Sequence, residues 1–311
     1  MKIVITGALG HIGSYLSRRL PKLFPNDEFL LLDNLSTQRY CSLFNLPSNC
    51  SFVETDVTQE NLPFYKNANY VIHLAALTDA AGSFERASQV EKNNFEATKN
   101  VASECAKASA SLIHLSSTSV YGTQASQVDE ECRLDELKPQ SPYAETKLKE
   151  EQWLKDNQEK LDLKHISLRF GTIAGISPGM RFHTAVNKFS WQASLGLPVT
   201  VWETALHQKR PYLDLKDACS AIEFIITKNI FDGSVYNVLT ANHTVNEIIT
   251  IIKKTVNDLK IELVKAPIMN QLSYEVLDNK IRDKGFINNG SIENAINETL
   301  ELLGSKKNHN F

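Results

Sequence analysis

The chain has 311 residues with a net charge of −3, and 42% of them are hydrophobic and 22% charged. This length suits two domains or one α/β domain with an appended lobe, and the weak negative charge excludes the basic surface of a nucleic-acid-binding protein. No apolar run reaches the roughly 20 residues of a membrane-spanning helix, and no signal peptide precedes the first motif. We therefore expect a cytoplasmic protein with no membrane or nucleic-acid partner.

The five cysteines are odd in number and form no Cys-x-x-Cys pair, which favours free thiols in a reducing cytoplasm. No histidine stands at metal-ligand spacing from another histidine, a cysteine or a carboxylate cluster. We therefore expect neither a disulfide framework nor a metal site.

Short apolar runs alternate with helical stretches along the first 170 residues. The predicted strands cover 2–6, 28–33, 51–55, 70–75, 111–116 and 164–170, and the predicted helices cover about 11–24, 85–108 and a stretch that begins at 142. These strands are apolar almost throughout, which is typical of strands buried on both faces of a parallel sheet. The pattern predicts an α/β fold with a Rossmann-type doubly wound parallel sheet.

Beyond residue 171 the pattern is less regular. Residues 171–180 are rich in glycine and read as a loop, followed by a helix over 183–196 and a short strand over 198–202. Asp214 is a predicted N-cap, and Thr244 with Glu247 forms a predicted capping box. We expect these late elements to form a smaller α/β lobe over the carboxyl edge of the sheet.

The first turn, "TGALGHIG", spaces Gly7, Gly10 and Gly13 between a strand and a helix. Backbone N–H groups and the helix dipole can bind a pyrophosphate there, and Asp33 ends the next strand where a carboxylate binds the adenosine ribose. A tight turn without a ligand is the alternative. The Asp33 carboxylate repels a 2′-phosphate, and the next residue is Asn34 and not an arginine that could bind one. Arg39 lies further on and favours NADP, but we expect NAD.

The stretch "SPYAETK" predicts a helix that begins with an N-cap at Ser141 and a proline at Pro142. Tyr143 and Lys147 then stand four residues apart on one face of this helix. They form either an ordinary surface pair or a phenol whose acidity the ammonium controls, and the stretch alone does not distinguish the two.

Together these residues resemble the extended short-chain dehydrogenase/reductase family, and in particular the NAD-dependent epimerase/dehydratase group that acts on nucleotide sugars, typified by UDP-glucose 4-epimerase. The resemblance covers nearly the whole chain and is firmest over residues 1–175. The motifs that carry it are "TGALGHIG", "DNLS" (33–36), "DV" (56–57), "HLAA" (73–76), "SSTSVYG" (116–122) and "YAETK" (143–147).

The resemblance implies a role for each matching position. Tyr143 is the expected acid and base, Lys147 binds the nicotinamide ribose and favours the phenolate, and Ser117 holds the reacting oxygen. The implied cofactor contacts, besides Tyr143 and Lys147, are Gly7, Gly10, His11, Ile12 and Gly13 at the pyrophosphate; Asp33, Asn34, Leu35, Ser36, Thr37 and Gln38 at the adenosine ribose; Asp56 and Val57 at the adenine; and Leu74, Ala75, Ala76, Thr78, Asn94 and Gly171 along the cofactor's path.

The substrate positions depart from the family pattern. Thr172 stands where an asparagine usually contacts the nucleotide diphosphate, and Pro211 replaces a residue that is usually acidic. Arg210 is the preferred candidate for binding the diphosphate and Arg181 is a second one, because a guanidinium meets two phosphate oxygens at once. Ser117 and Thr118 are the other expected substrate contacts.

The dehydratase branch typically has an acidic pair directly after the catalytic serine or threonine, and this chain has Thr118 and Ser119 there. This disfavours dehydration unless Asp79 or another carboxylate reaches the sugar. The resemblance therefore implies a nucleotide-sugar epimerase that works through a 4-keto sugar. A 4-dehydrogenase or reductase is the alternative, and a non-catalytic NAD-binding protein is a third hypothesis.

The resemblance also implies an assembly and a division of the chain. A homodimer is expected through a four-helix interface made by helices 85–108 and 142–158. Residues 1–170 plus about 206–240 are expected to form the NAD-binding domain, and about 171–205 plus 241–311 the smaller substrate-binding lobe.

Overall fold

The structure is a computed structural model, and it describes residues 1–78, 82–122, 126–265 and 273–304. Seven parallel strands form the central sheet in the order β11-β7-β5-β4-β1-β2-β3. They are β1 (Lys2–Thr6), β2 (Glu28–Asp33), β3 (Cys50–Glu54), β4 (Tyr70–His73), β5 (Ser111–Ser117), β7 (His165–Phe170) and β11 (Val235–Val238). The predicted Rossmann-type sheet is confirmed.

Helices cover both faces of this sheet, which explains the continuous apolar character of its strands. Ile3 and Ile5 of β1 join one core cluster, whereas Val4 between them joins another, because successive strand residues point to opposite faces. The flanking helices are α1 (His11–Leu23) and α5 (Leu215–Lys228) in the first cluster, and α2 (Ala87–Ala108) and α3 (Pro142–Leu161) in the second.

The later elements form a second, smaller group with its own core. This group contains β8 (Thr172–Ala174), α4 (Ala185–Ser194), β9 (Val199–Trp202), β10 (Lys209–Asp214), β12 (Ala241–Thr244), α6 (Val245–Thr255), β13 (Ile261–Val264) and α8 (Ile292–Gly304). Strand β10 pairs with β8 in parallel and with β12 in antiparallel orientation, and β13 pairs with β9. The predicted capping box of α6 is confirmed, as is the Asp214 N-cap of α5.

Two features differ from the expected organisation. Residues 172–174, expected to be loop, form β8, because Tyr212 to Asp214 of β10 offer them a parallel partner. The remaining short elements are β6 (Gln127–Val128), β14 (Glu275–Val276) and α7 (Asn279–Asp283), and Ile281 of α7 packs in the core of the central sheet. The last part of the chain therefore contacts both groups, and the two-part division stays a prediction.

Helix α3 is anchored to the sheet by a buried ion pair. Glu151 accepts hydrogen bonds from Arg169 of β7, with Nη2 at 2.6 Å and Nε at 2.9 Å, and also from the Ser116 hydroxyl of β5. Both partners are only 5% exposed. Burial lowers the pKa of Arg169, but the charge of Glu151 outweighs it and the pKa is raised, so the guanidinium stays charged.

We predict that Glu151→Gln destabilises the fold, because it leaves the Arg169 guanidinium without its counter-charge. Removing one partner of a buried ion pair typically costs about 3–5 kcal/mol of unfolding free energy. Urea unfolding measures the loss. Asp135→Asn, which breaks an ion pair whose partners are 74% and 66% exposed, is the matched control and should change stability by less than about 1 kcal/mol. Equal losses for both variants would contradict the anchoring role.

Candidate active site

One cavity lies along the carboxyl ends of the central strands, where the loops after β1, β2, β4, β5 and β7 meet. Parallel strands bring these loops to a single edge of the sheet, which is where open α/β sheets bind ligands. Most of the predicted site residues line it: Gly7, Gly10, His11, Ile12, Gly13, Asp33, Asn34, Ser36, Thr37, Asp56, Val57, Leu74, Ala75, Ala76, Thr78, Ser117, Tyr143, Lys147, Gly171, Thr172 and Arg181.

The glycine turn leaves the start of α1 open to the cavity. Gly7 has a φ of 64°, and a Cβ there would lie 2.7 Å from the backbone nitrogen of Ala75, so only glycine fits. Helix α1 has no side-chain cap and no acidic residue in its first turn. Its first N–H groups can therefore bind an anion such as a pyrophosphate.

Asp33 holds the neighbouring part of the cavity in shape. Its carboxylate accepts hydrogen bonds from the backbone N–H groups of Leu9, at 3.0 Å, and Leu35, at 2.9 Å. Arg39 also lines this end of the cavity. The predicted contacts Leu35 and Gln38 are not among the lining residues; both have positive φ angles and form the turn itself, with the N–H of Gln38 bonded to the carbonyl of Leu35.

The segment after β8 packs directly on the glycine turn. His11 bonds to the carbonyl oxygen of Gly175 at 2.8 Å, and the Ser177 hydroxyl donates to the carbonyl of His11 at 2.8 Å. Burial lowers the pKa of His11 to about 4, so the imidazole is neutral near pH 7 and its Nε2–H is the donor. A Cβ at Gly179 would lie 2.2 Å from the Leu9 carbonyl oxygen, so this close contact requires glycine.

This packing brings Arg181 into the cavity. Its guanidinium donates to the hydroxyl and the carbonyl oxygen of Thr78, and its charge opposes the burial that raises the pKa of Tyr143. Arg210, the arginine preferred from the sequence, is not among the cavity-lining residues. Its guanidinium lies over the ring of Tyr274, 5.0 Å from the centroid, and donates to Gln208. Of the two predicted arginines, Arg181 therefore lines the cavity and Arg210 does not, and the role of either in binding a diphosphate stays a prediction.

Ser117 ends β5 at the cavity with its hydroxyl in a defined orientation. Its Oγ accepts hydrogen bonds from the N–H of Ser119 at 3.2 Å and from the Ser119 hydroxyl at 2.9 Å. A hydroxyl oxygen accepts two hydrogen bonds, so in the described structure the remaining O–H of Ser117 can donate into the cavity. Thr118 does not line the cavity, because its hydroxyl turns back to the carbonyl of Phe170.

Helix α3 delivers Tyr143 and Lys147 to the cavity. The predicted cap is confirmed: the Ser141 hydroxyl oxygen accepts the N–H of Ala144 at 3.2 Å. Lys147 is only 3% exposed, and its Nζ donates to Glu150 at 2.8 Å. Burial raises the pKa of Tyr143, and the opposing charges of Lys147 and Arg181 do not overcome it. The charge of Lys147 therefore favours the phenolate without outweighing burial.

Several residues near the cavity were not predicted as site residues. Asn93 lines it, whereas the predicted Asn94 is buried behind the wall and bonds through both amide atoms to the backbone of Leu77, at 2.7 and 3.0 Å. Ser119 beside Ser117 and Thr184 at the start of α4 also line the cavity. The "NN" dipeptide indicates an asparagine at the cavity but does not say which of the two it is. Consecutive residues on a helix point 100° apart, so only Asn93 faces the cavity.

The charges of the cavity are distributed unevenly. Among the described lining residues the carboxylates are Asp33 and Asp56, both at the end beside the glycine turn and strand β2. The opposite end carries Ser117, Tyr143 and Lys147. In the described ranges no group of three or more His, Cys, Asp or Glu side chains could hold a metal ion, and no described helix has the length and hydropathy needed to cross a membrane.

Curated relatives align with almost the whole chain. A trifunctional UDP-glucose 4,6-dehydratase/UDP-4-keto-6-deoxy-D-glucose 3,5-epimerase/UDP-4-keto-L-rhamnose-reductase of Arabidopsis thaliana is 28% identical over an alignment of 322 positions, which covers 96% of this chain and 46% of the plant protein. This chain therefore spans about half the length of that relative. The ADP-L-glycero-D-manno-heptose-6-epimerase of Brachyspira hyodysenteriae is 25% identical, with coverage of 97% and 98%.

A solved structure and a family model agree with the fold. The UDP-glucuronic acid 4-epimerase of Bacillus cereus, in complex with UDP-glucuronic acid and NAD, superposes with a TM-score of 0.88 at 21% identity, over 98% of this chain and 99% of that one. At this identity the likeness is one of fold. The model of the NAD-dependent epimerase/dehydratase family matches residues 3–238, which confirms the prediction of NAD as cofactor. The chain belongs to the NAD-dependent epimerase/dehydratase family.

Proposed function

We propose that the protein is an NAD-dependent nucleotide-sugar epimerase that works through a 4-keto sugar. The observation that carries the proposal is that Ser117, Tyr143 and Lys147 line one end of the cavity whose other end has the open glycine turn and Asp33. The residues present fit NAD, because the uncapped start of α1 suits a pyrophosphate and the Asp33 carboxylate suits ribose hydroxyls.

Each of the three residues has a separate task in this proposal. Tyr143 takes the proton of the sugar's 4-hydroxyl and returns it, and Ser117 donates its hydroxyl to the same oxygen. Lys147 holds the nicotinamide ribose and supplies positive charge next to the phenol. NAD bound in this cavity would supply reversible hydride transfer at the sugar's fourth carbon.

A nucleotide-sugar 4-dehydrogenase or reductase is the alternative, since it shares the first half of this reaction. Dehydration has support from the relatives, several of which are named 4,6-dehydratases. It needs a second acid, and no carboxylate lies among the described lining residues at the Tyr143 end. Asp79, the carboxylate considered from the sequence, lies outside the described residues.

The substrate class is a nucleotide diphosphate sugar, and Arg181 is the better placed of the two arginines for the diphosphate. It lines the cavity and its charge acts on Tyr143. A guanidinium at that position can bind two phosphate oxygens and bring the sugar to the phenol. The two-part division of the chain and a cytoplasmic location stay proposals alongside this one.

We predict that Tyr143→Phe lowers turnover by at least about 100-fold while NAD binding is kept, because only the proton-carrying hydroxyl is lost. The assay supplies a panel of UDP-, GDP- and dTDP-sugars deuterated at the sugar's fourth carbon. An epimerase returns the deuterium to the product sugar, whereas a dehydrogenase leaves it on the reduced cofactor. Tyr40→Phe, on an exposed tyrosine outside the cavity, is the control. Near-normal turnover of Tyr143→Phe would refute the catalytic assignment.

We predict that NAD binds at least tenfold more tightly than NADP, because the Asp33 carboxylate faces the place of the 2′-phosphate. Asp33→Asn should narrow this ratio, since it removes the charge and keeps a hydrogen-bond acceptor for Leu9 or Leu35. Isothermal titration calorimetry with both cofactors measures the ratio. Equal affinities for the unmodified protein would exclude this role of Asp33.

We also propose a homodimer through α2 and α3. An open groove is lined by Phe95 of α2, by Leu148 and Trp153 of α3 and by Leu134 of the segment before α3. The rings of Phe95 and Trp153 pack edge to face at 6.5 Å. The small residues at 101–110, considered as interface residues from the sequence, include Val101, Ala102 and Cys105, which are buried in the protein's own core.

We predict that multi-angle light scattering at micromolar concentration gives the mass of a dimer, and that Leu148→Glu shifts the protein towards the monomer. A charge in the groove would lose its hydration on association, which opposes dimer formation. Leu302→Glu, at an exposed leucine of α8, is the control. A monomeric unmodified protein would contradict the proposed assembly.

A further inference from the structure

Glu150 is a completely buried carboxylate that touches the site from behind. Its Oε2 accepts the Nζ–H of Lys147 at 2.8 Å and bonds to Nε2 of His114, also at 2.8 Å. Glu150 and His114 are both 0% exposed, and Lys147 is 3% exposed. The contacts thus run in a line from His114 through Glu150 to Lys147. Of these three residues, only Lys147 lines the cavity.

His114 belongs to a row of polar side chains that crosses the sheet. The strand registers align Thr6 with His73, His73 with His114 and His114 with Ser167. Nδ1 of His114 lies 3.1 Å from the Ser167 hydroxyl, which occupies the ring nitrogen that Glu150 does not use. Buried polar groups cost free energy unless they are paired. This row is therefore tolerated in the core because its members form hydrogen bonds with neighbouring polar groups.

Docking of α3 on the sheet does not by itself account for Glu150. The adjacent Glu151 already ties α3 to Arg169 of β7 and Ser116 of β5. Glu150 bonds to His114 of β5, and it also bonds to Lys147, the only lysine among the described residues that line the cavity. Its contacts therefore point to a role in the site in addition to its contact with the sheet.

The charge of Glu150 opposes ionisation of the Tyr143 phenol. Lys147 and Arg181 favour the phenolate, and Glu150 opposes it. Burial raises the pKa of Glu150, but the charge of Lys147 and the bond from His114 bring it down to about 2, so this carboxylate stays ionised.

Other titratable groups pack against the cluster of His114, Glu150 and Lys147, but none of them supplies the negative charge of Glu150. His73 of β4 has a pKa lowered to about 3 by burial and is neutral. His114 of β5 is bonded to Glu150 itself. Glu151 of α3 is paired with Arg169 of β7. The net charge that acts on the phenol from this cluster is thus the sum of the positive charge of Lys147 and the negative charge of Glu150.

We propose that Glu150, held in place by His114, is the internal counter-charge of Lys147 and a positioning residue for Tyr143. It keeps the buried ammonium charged and directed into the cavity, and its charge adds to the burial that keeps the phenol protonated. This inference rests on the proposed role of Tyr143 as acid and base. It adds that the charge of Glu150 sets the pH at which the phenol of Tyr143 can act as a base.

The sign of the effect follows from the charges. Glu150→Gln keeps the shape and a hydrogen-bond acceptor for Lys147 but removes the negative charge. The ammonium then acts on Tyr143 without an opposing carboxylate, so the phenol should ionise at lower pH than in the unmodified protein. A nearby charge typically moves a pKa by roughly 1–3 units, and we expect a shift of about 1 unit or more.

The experiment is a pH titration of the cofactor-free protein labelled with ¹³Cζ-tyrosine and followed by NMR, with Tyr143→Phe to assign the Tyr143 signal. Glu150→Gln should bring the midpoint of this signal to lower pH than in the unmodified protein. Glu145→Gln, on the exposed face of the same helix, should leave it unchanged. A midpoint in Glu150→Gln that is equal to or above that of the unmodified protein, or no titration in either, overturns the proposal.

A second measurement needs no variant at Glu150 and covers the case in which Glu150→Gln fails to fold. In the unmodified, cofactor-free protein the Tyr143 signal should remain that of the protonated phenol up to about pH 9. Ionisation below about pH 8 would overturn the proposal. Neither titration depends on turnover, so the result is separate from the Tyr143→Phe assay, whose failure would refute the proposed function itself.

Discussion

Two adjacent buried carboxylates on helix α3 determine the geometry on which the site depends. Glu151 reaches Arg169 of the sheet, and Glu150 reaches His114 of the sheet as well as Lys147 of its own helix. A buried charge without a partner costs several kcal/mol, so a rotation of α3 that separated Glu151 from Arg169 would be strongly unfavourable, and the same rotation would break the bond of Glu150 to His114. Consecutive helix residues point 100° apart, and satisfying both carboxylates therefore leaves one orientation of the helix. In that orientation Tyr143 and Lys147 line the cavity.

The parallel sheet supplies the other half of the site by bringing distant segments to one edge. The glycine turn follows β1, Asp33 ends β2, Ser117 ends β5 and Gly171 follows β7. Because all these strands run the same way, their carboxyl ends meet, and a ligand as long as a dinucleotide can contact them together. The segment after β8 then closes over the glycine turn, and its contacts with His11 and Ser14 bring Arg181 towards Tyr143.

The sequence predicted what depends on local pattern and missed what depends on packing between distant segments. Apolar runs, the glycine turn and the capping box of α6 are local, and the structure agrees with them. Strand β8 exists only because β10 pairs with it. Arg181 enters the cavity because Gly179 lets its segment approach the turn, and no spacing rule contains that contact. Glu150 stands in "KLKEEQ", a run that is typical of a solvated helix face, so its burial beneath His114 had no local signal.

The placement of charge also bears on which reaction the site can support. The described lining residues at the Tyr143 end offer hydroxyls and cations, whereas the carboxylates lie at the other end. A single phenol that gives back the proton it has taken is sufficient for epimerisation, because the substrate and product differ only in configuration. Loss of water requires a second group to protonate the leaving hydroxyl while the first proton stays removed. Glu150 is bonded to Lys147 and His114 and is not among the residues that line the cavity, so it is not placed to be that second acid.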